Sequence, residues 1–158
     1  MSTNVEINIR LGDLDDIFQI AEVFSDSVRE LCKKDYDSNT ILRWIATKPP
    51  ESRSEYIKNN SLWVAELNGK IVGYLISVPG EVIALFVASS YTGLGIGRAL
   101  GELGIEIAKN GSVHDVKLQS TISAVQFYKK LGFNEVGRGF YTHCDSDLKL
   151  PIVNMALS

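Results

Sequence analysis

A strand that runs almost directly into a glycine loop constrains this chain most. Val82-Ile83-Ala84-Leu85-Phe86-Val87 is apolar at six consecutive positions after Glu81. An unbroken apolar run of strand length predicts a strand buried on both faces, and therefore a central one. Soon afterwards Thr92-Gly93-Leu94-Gly95-Ile96-Gly97-Arg98-Ala99 leads into a helix predicted over about Gly95 to Lys109. Glycines between a strand and a helix leave bare N–H groups at the helix N-terminus. There the N–H groups and the helix dipole both favour an anion such as phosphate. Two familiar phosphate loops do not fit. The dinucleotide fingerprint needs Gly or Ala three residues after its second glycine, where this chain has Arg98 or Leu100. The Gly-Lys-Ser/Thr of nucleotide triphosphatases is also missing, and an NAD-binding module is rejected on spacing.

The predicted helix strengthens the case for a built loop. Gly97, Gly101, Gly104 and Ala108 fall at helical spacing and give it one face almost without side chains. Each interior glycine costs about 1 kcal/mol relative to alanine, so the bare face needs a reason. Close approach to the sheet, or to a ligand lying along the helix, would supply it. Ile96, Leu100, Leu103 and Ile107 form the apolar face.

The rest of the chain predicts a mixed α/β domain. Val5 to Ile9 alternates as a strand, and Gly12-Asp13 breaks it. Asp13 is a candidate N-cap for a helix whose stripe runs Ile17, Ile20, Phe24, Val28, Leu31. A short helix follows from Ser38 to Ala46, ended by Pro49-Pro50, and then a polar stretch from Glu51 to Asn60. Ser61–Leu67 and Lys70–Val78 read as a hairpin turning at Asn68-Gly69, and Pro79-Gly80 turns the chain into Glu81–Val87. A strand at Asp115–Ser120, a helix at Ile122–Leu131 and strands near Phe133–Phe140 and Leu148–Leu157 complete the order β-α-α-β-β-β-α-β-α-β-β. That order predicts about seven strands with helices on both faces. The whole chain, 1–158, reads as a single domain.

Composition closes off other classes. With 45% apolar and 22% charged residues the chain is neither disordered nor fibrous. Sixteen Lys and Arg against 19 Asp and Glu give no basic excess of the kind that grips nucleic acid. No apolar run approaches the roughly 20 residues that span a bilayer, and Met1–Arg10 has no signal-peptide core. Cys32 and Cys144 lack CxxC partners, which argues against zinc and for reduced thiols in a cytoplasmic protein. No metal is expected.

Two motifs together resemble the GNAT superfamily of acetyl-CoA-dependent N-acetyltransferases. The first is Thr92-Gly93-Leu94-Gly95-Ile96-Gly97 after Leu85-Phe86-Val87, similar to the family's Gln/Arg-x-x-Gly-x-Gly/Ala loop. The second is Ala124-Val125-Gln126-Phe127-Tyr128-Lys129-Lys130-Leu131-Gly132-Phe133, similar to its apolar helix ending in Tyr-x-x-x-Gly-Phe. The element order agrees over nearly the whole chain. The resemblance implies a mostly antiparallel central sheet and acetyl-CoA as co-substrate. It implies cofactor contacts at Leu85, Phe86, Val87, Thr92, Gly93, Leu94, Gly95, Ile96, Gly97, Arg98, Ala99, Thr121 and Tyr128. Thr92, Ser89 and Thr121 stand where the family commonly has Gln/Arg, Pro and Asn. The implied acceptor is an amine on a small molecule or peptide. Many relatives form dimers, which leaves a homodimer open.

Amide formation from a thioester needs a neutral amine, a donor for the carbonyl oxygen and a proton for the departing thiolate. An amine of pKa near 10 is mostly charged at pH 7, so a base is required. Glu81 is the candidate, by its position relative to the loop in histone-acetylating relatives; a hairpin-end glutamate facing water is the plain alternative. Tyr128 is the candidate acid by resemblance. It shares a stripe with Ala124 and Leu131, as a core tyrosine also would. Phe86 or Val87 would give the oxyanion N–H. His114 and His143 read as surface or structural residues, and Arg98, Lys129 and Lys130 as phosphate contacts or solvated cations. Tyr36, Arg43 and Trp44 are candidates for an acceptor pocket. The competing class is an acyl-CoA-binding sensor, which would need neither Glu81 nor Tyr128.

Overall fold

The structure is a computed structural model that describes residues 6–110, 114–143 and 147–158. Val5 of the first predicted strand and Cys144 lie outside the described residues. Seven strands form one sheet in the order β1-β2-β3-β4-β5-β7-β6, with β1 Ile7–Leu11, β2 Leu62–Leu67, β3 Lys70–Val78, β4 Glu81–Val87, β5 Val116–Ser120, β6 Asn134–Phe140 and β7 Pro151–Leu157. Only the β4–β5 pair is parallel. Helices α1 (Ile17–Leu31), α2 (Ser38–Ala46) and α3 (Ser54–Lys58) cover one face; α4 (Ile96–Lys109) and α5 (Val125–Lys130) cover the other.

Local chemistry sets the boundaries. Asp13 accepts from the Asp15 N–H and closes a capping box with Asp16, whose carboxylate Arg10 also grips. Asp37 caps α2 by accepting from Thr40 N–H at 2.7 Å. Asn68 (φ 52°) and Gly69 (φ 78°) are both left-handed, as the two-residue hairpin turn demands.

Three expectations need correction. The first strand lies at Ile7–Leu11, shifted from Val5–Ile9, because its pairing with Trp63–Leu67 sets the register. The polar stretch from Glu51 to Asn60, for which the sequence predicts no element, is largely helical. Pro50 starts a 3₁₀ turn to Arg53, and α3 follows, burying Arg53 and Ile57. Sequence periodicity hid this helix because a charged residue holds the first place on its buried stripe. Finally, β4 is central but not buried on both faces: Ile83 to Phe86 are only half-buried. A cavity, rather than side chains, flanks this part of the strand.

The bare face of α4 is explained by close packing. A Cβ on Gly101 would lie 2.6 Å from Leu131 Cδ1, and one on Gly104 would lie 2.8 Å from Leu75 Cδ1. The helix therefore sits close against β3 and α5, and Ser77 Oγ donates to Gly104 O at 2.7 Å.

Candidate active site

The site begins where two neighbouring strands part. β4 pairs with β5 only at Glu81–Lys117 and Val82–Leu118, and beyond Val82 that edge of β4 has no strand partner. An irregularity against β3 adds Ile83 as an extra residue between Val82 and Ala84. Consecutive residues Ile83 and Ala84 consequently pack on the α1–α3 side with Phe86, while Leu85 and Val87 face α4 and α5. On the opposite edge Ala88 N–H donates to Val72 O at 2.8 Å. Antiparallel alternation then directs the backbone groups of Phe86 and Ala84 to β3, and those of Leu85 and Val87 into the gap beside β5. Of the two expected oxyanion donors, Phe86 N–H is thus engaged in the sheet and Val87 N–H is available.

The glycine loop lies at the C-terminal end of this gap. Its start is held by Asp26, whose carboxylate accepts from Ser89 N–H at 2.6 Å and Ser89 Oγ at 3.1 Å. Gly93 (φ 79°) and Gly95 (φ 84°) are left-handed, and a Cβ on either would meet nothing within 4 Å. None of the N–H groups from Gly93 to Arg98 finds an acceptor among the described residues. Ala99 N–H is different: it donates to Gly95 O at 3.0 Å inside the helix. The expected contact at Ala99 is therefore not a backbone one. Ile96 is 1% exposed, so it too can offer only its N–H. Leu94 projects outward.

A cavity of about 510 Å³ follows the gap and the loop. Its wall includes Leu85, Val87, Gly95, Gly97, Thr121 and Tyr128. Burial pushes the Tyr128 phenol well above its ordinary range, and its hydroxyl has no hydrogen-bond partner among the described residues. Burial thus keeps the phenol protonated beside the cavity, with its hydroxyl hydrogen free to be donated in a hydrogen bond. Thr121 Oγ1 caps the turn before α5 by accepting from Ala124 N–H, and Thr92 Oγ1 donates to Ser89 O. Arg98 pairs with Glu102, and Lys129 with Glu135, both on the surface.

A second cavity of about 320 Å³ lies beside the first, with Ile83, Ala84, Phe86 and Tyr141 lining both. His143 lines it, and His143 Nε2 lies 2.8 Å from Glu81 Oε2. The sequence reading missed His143, Tyr141, Lys48 and Arg53 in this wall; no spacing joins residues from such distant segments. Trp44 lines the first cavity from within an aromatic cluster with Phe24, Phe86 and Tyr141. Tyr36 is a structural pin instead. Its hydroxyl donates to Pro151 O and accepts from Ile122 N–H, and burial pushes it up to about 12. Arg43 lines neither cavity.

Known proteins share both the fold and the sequence pattern. An uncharacterized N-acetyltransferase of Methanocaldococcus jannaschii is 31% identical over 142 residues, covering 81% of this chain and 59% of that protein. The uncharacterized N-acetyltransferase YafP of Escherichia coli is 28% identical over 131 residues, covering 82% and 83%. A GCN5-related N-acetyltransferase from Rhodopseudomonas palustris superposes with a TM-score of 0.84 at 19% identity, over 100% of this chain and 98% of that one. The PaiA N-acetyltransferase of Thermoplasma acidophilum, solved in complex with coenzyme A, gives 0.76 at 20% identity, over 97% and 99%. Residues 32–155 match the model of the acetyltransferase (GNAT) domain. The chain belongs to the GNAT family of acetyltransferase domains.

Proposed function

We propose that this chain transfers an acetyl group from acetyl-CoA to the primary amine of a small molecule or peptide. The observation that carries this reading is the parted edge of β4, which opens Leu85 and Val87 backbone groups onto a cavity ending at six N–H groups with no acceptor among the described residues. Gly93 to Arg98 fit the pyrophosphate, since bare amides and a helix N-terminus favour an anion. Leu85 and Val87 fit the amide-bearing pantetheine arm, which would extend the sheet as a strand does. Bound acetyl-CoA supplies the activated thioester.

The chain's own residues then divide the work. Glu81 takes the amine proton, directly or through water. Val87 N–H donates to the thioester carbonyl oxygen as charge builds on it, and Tyr128 gives its phenolic proton to the departing sulfur. Neither step calls for a metal. The acetyl carbon leaves the sulfur for the amine nitrogen, and free thiol and amide are the products.

Release of free thiol from acetyl-CoA, followed against a panel of amines and peptides, tests the reading. Coenzyme A binding without thiol release for any acceptor would favour the sensor alternative, which the internally engaged hydroxyls of Thr92 and Thr121 support.

A further inference from the structure

The second cavity contains a positive charge that no carboxylate among the described residues neutralises. Arg53 lines it and is 3% exposed, with its aliphatic stem drawn inside by the turn at Pro50. The guanidinium lies over the rings of Phe24 (4.9 Å) and Tyr74 (5.8 Å). Nη1 donates to Lys48 O and Pro49 O, both at a long 3.3 Å. Among the described residues, buried Nη2 has no hydrogen-bond partner and no carboxylate pairs with Arg53. Ring faces attract a cation, but they do not accept the in-plane hydrogen bonds of a guanidinium. A buried, unpaired charge with an orphan donor is strongly disfavoured unless something else completes it.

We propose that Arg53 completes itself with the substrate: the acceptor is an amine that also bears a carboxylate, and Arg53 binds that carboxylate. The proposal rests on the acetyl-transfer reading and deepens it. The cavity adjoins the first one across Ile83, Ala84, Phe86 and Tyr141, which line both, and Arg53 lies in its wall. A volume of about 320 Å³ suits a molecule of amino-acid size. Tyr74 lines the same cavity; burial raises its phenol, and the charge and hydrogen bonding of the neighbouring Arg53 guanidinium act against that rise. A guanidinium nitrogen and a neighbouring hydroxyl match the two oxygens of a planar carboxylate. Glu81, in contact with the cavity-lining His143, supplies a negative charge near this cavity for the amine.

The test uses matched probes on the intact chain. Each amino acid in a panel is compared with its decarboxylated amine, for example leucine with isoamylamine and phenylalanine with phenethylamine. Dipeptides form a third arm, separating the carboxylate of a free amino acid from that of a peptide end. Calorimetric binding to the coenzyme A-saturated protein and thiol release from acetyl-CoA are both read. The carboxylate member of at least one pair should bind about 10- to 100-fold more tightly, the range set by a hydrogen bond between charged groups. Arg53→Gln should raise its KM by a similar factor with kcat nearly kept, and should leave KM for the plain amine unchanged. Arg53→Lys should restore only part, lacking the planar fork. Equal binding of both members of every pair by the unaltered protein overturns the proposal, whether or not the variants fold. Equal weakening of both members by Arg53→Gln overturns it too. Carboxylate-selective binding without thiol release would keep the anion site and reject acetyl transfer; brisk transfer to amines without carboxylates would do the reverse.

Discussion

Glu81 Oε2 and His143 Nε2 lie 2.8 Å apart although 62 residues separate them in the chain. The pair bridges the first residue of β4 and the segment after β6. It holds the carboxylate against His143, which lines the second cavity, while Glu81 itself lines neither cavity. A hairpin-end glutamate facing open water would lack such a fixed orientation; the side chain of Glu81 is only 18% exposed.

Glu81→Gln is expected to lower turnover at pH 7 by about 10²-fold, the scale of losing a general base. Raising the pH deprotonates the amine without help and should recover part of the loss. His143→Gln should cost less, since the carboxylate remains and only its orientation loosens. A pH–rate series on the three proteins checks this, and an equal loss at every pH would point to binding instead.

Tyr128→Phe should lower kcat by about 10- to 10³-fold while leaving coenzyme A affinity unchanged. The hydroxyl has no partner among the described residues, and the ring keeps its contacts with Phe127 and Phe133. Thermal stability should therefore be nearly that of the parent. A Tm drop with unimpaired kcat would identify a structural tyrosine.

Gly95 separates backbone strain from electrostatics. Any side chain at φ 84° carries a left-handed penalty of about 1–2 kcal/mol, but no atom lies in its way. Gly95→Ala and Gly95→Glu should thus share a modest Tm loss. Only the glutamate should abolish coenzyme A binding, by setting a negative charge among the N–H groups. Equal coenzyme A affinity for the two variants would place the phosphates elsewhere.

Tyr36 gives a pH dependence of stability. Burial raises its folded value to about 12 from an unfolded value near 10. Above pH 10 the unfolded chain has lost a proton that the folded chain retains, so stability is full below about pH 10 and falls as pH rises towards 12, by up to about 1.4 kcal/mol per pH unit. Tyr36→Phe should flatten that part of the alkaline limb. It should also lower stability at pH 7 by about 1–3 kcal/mol, because Pro151 O and Ile122 N–H lose their partner. Denaturant titrations at pH 7 to 11 check both.

The sequence alone determined the elements whose cause is local. The hairpin at Asn68-Gly69 follows from turn chemistry, α1 from its Ile20/Phe24/Val28 stripe, and the anion loop from glycines placed between strand and helix. The two motifs around Gly95 and Tyr128 carried the family as well. Tertiary structure decided what depends on residues distant in sequence. Whether the edge of β4 is paired or open depends on where β5 leaves it, beyond the Val82–Leu118 pair, to run on to Ser120 beside β7, and no residue of β4 encodes that. The choice of Val87 over Phe86 as donor follows from strand register against β3, which the extra residue Ile83 resets. The joining of His143 to Glu81, and the enclosure of Arg53 by Phe24 and Tyr74, come from segments meeting across the sheet. A sequence pattern records which face of an element is apolar; the space left between elements is a property of their packing, and the site is that space.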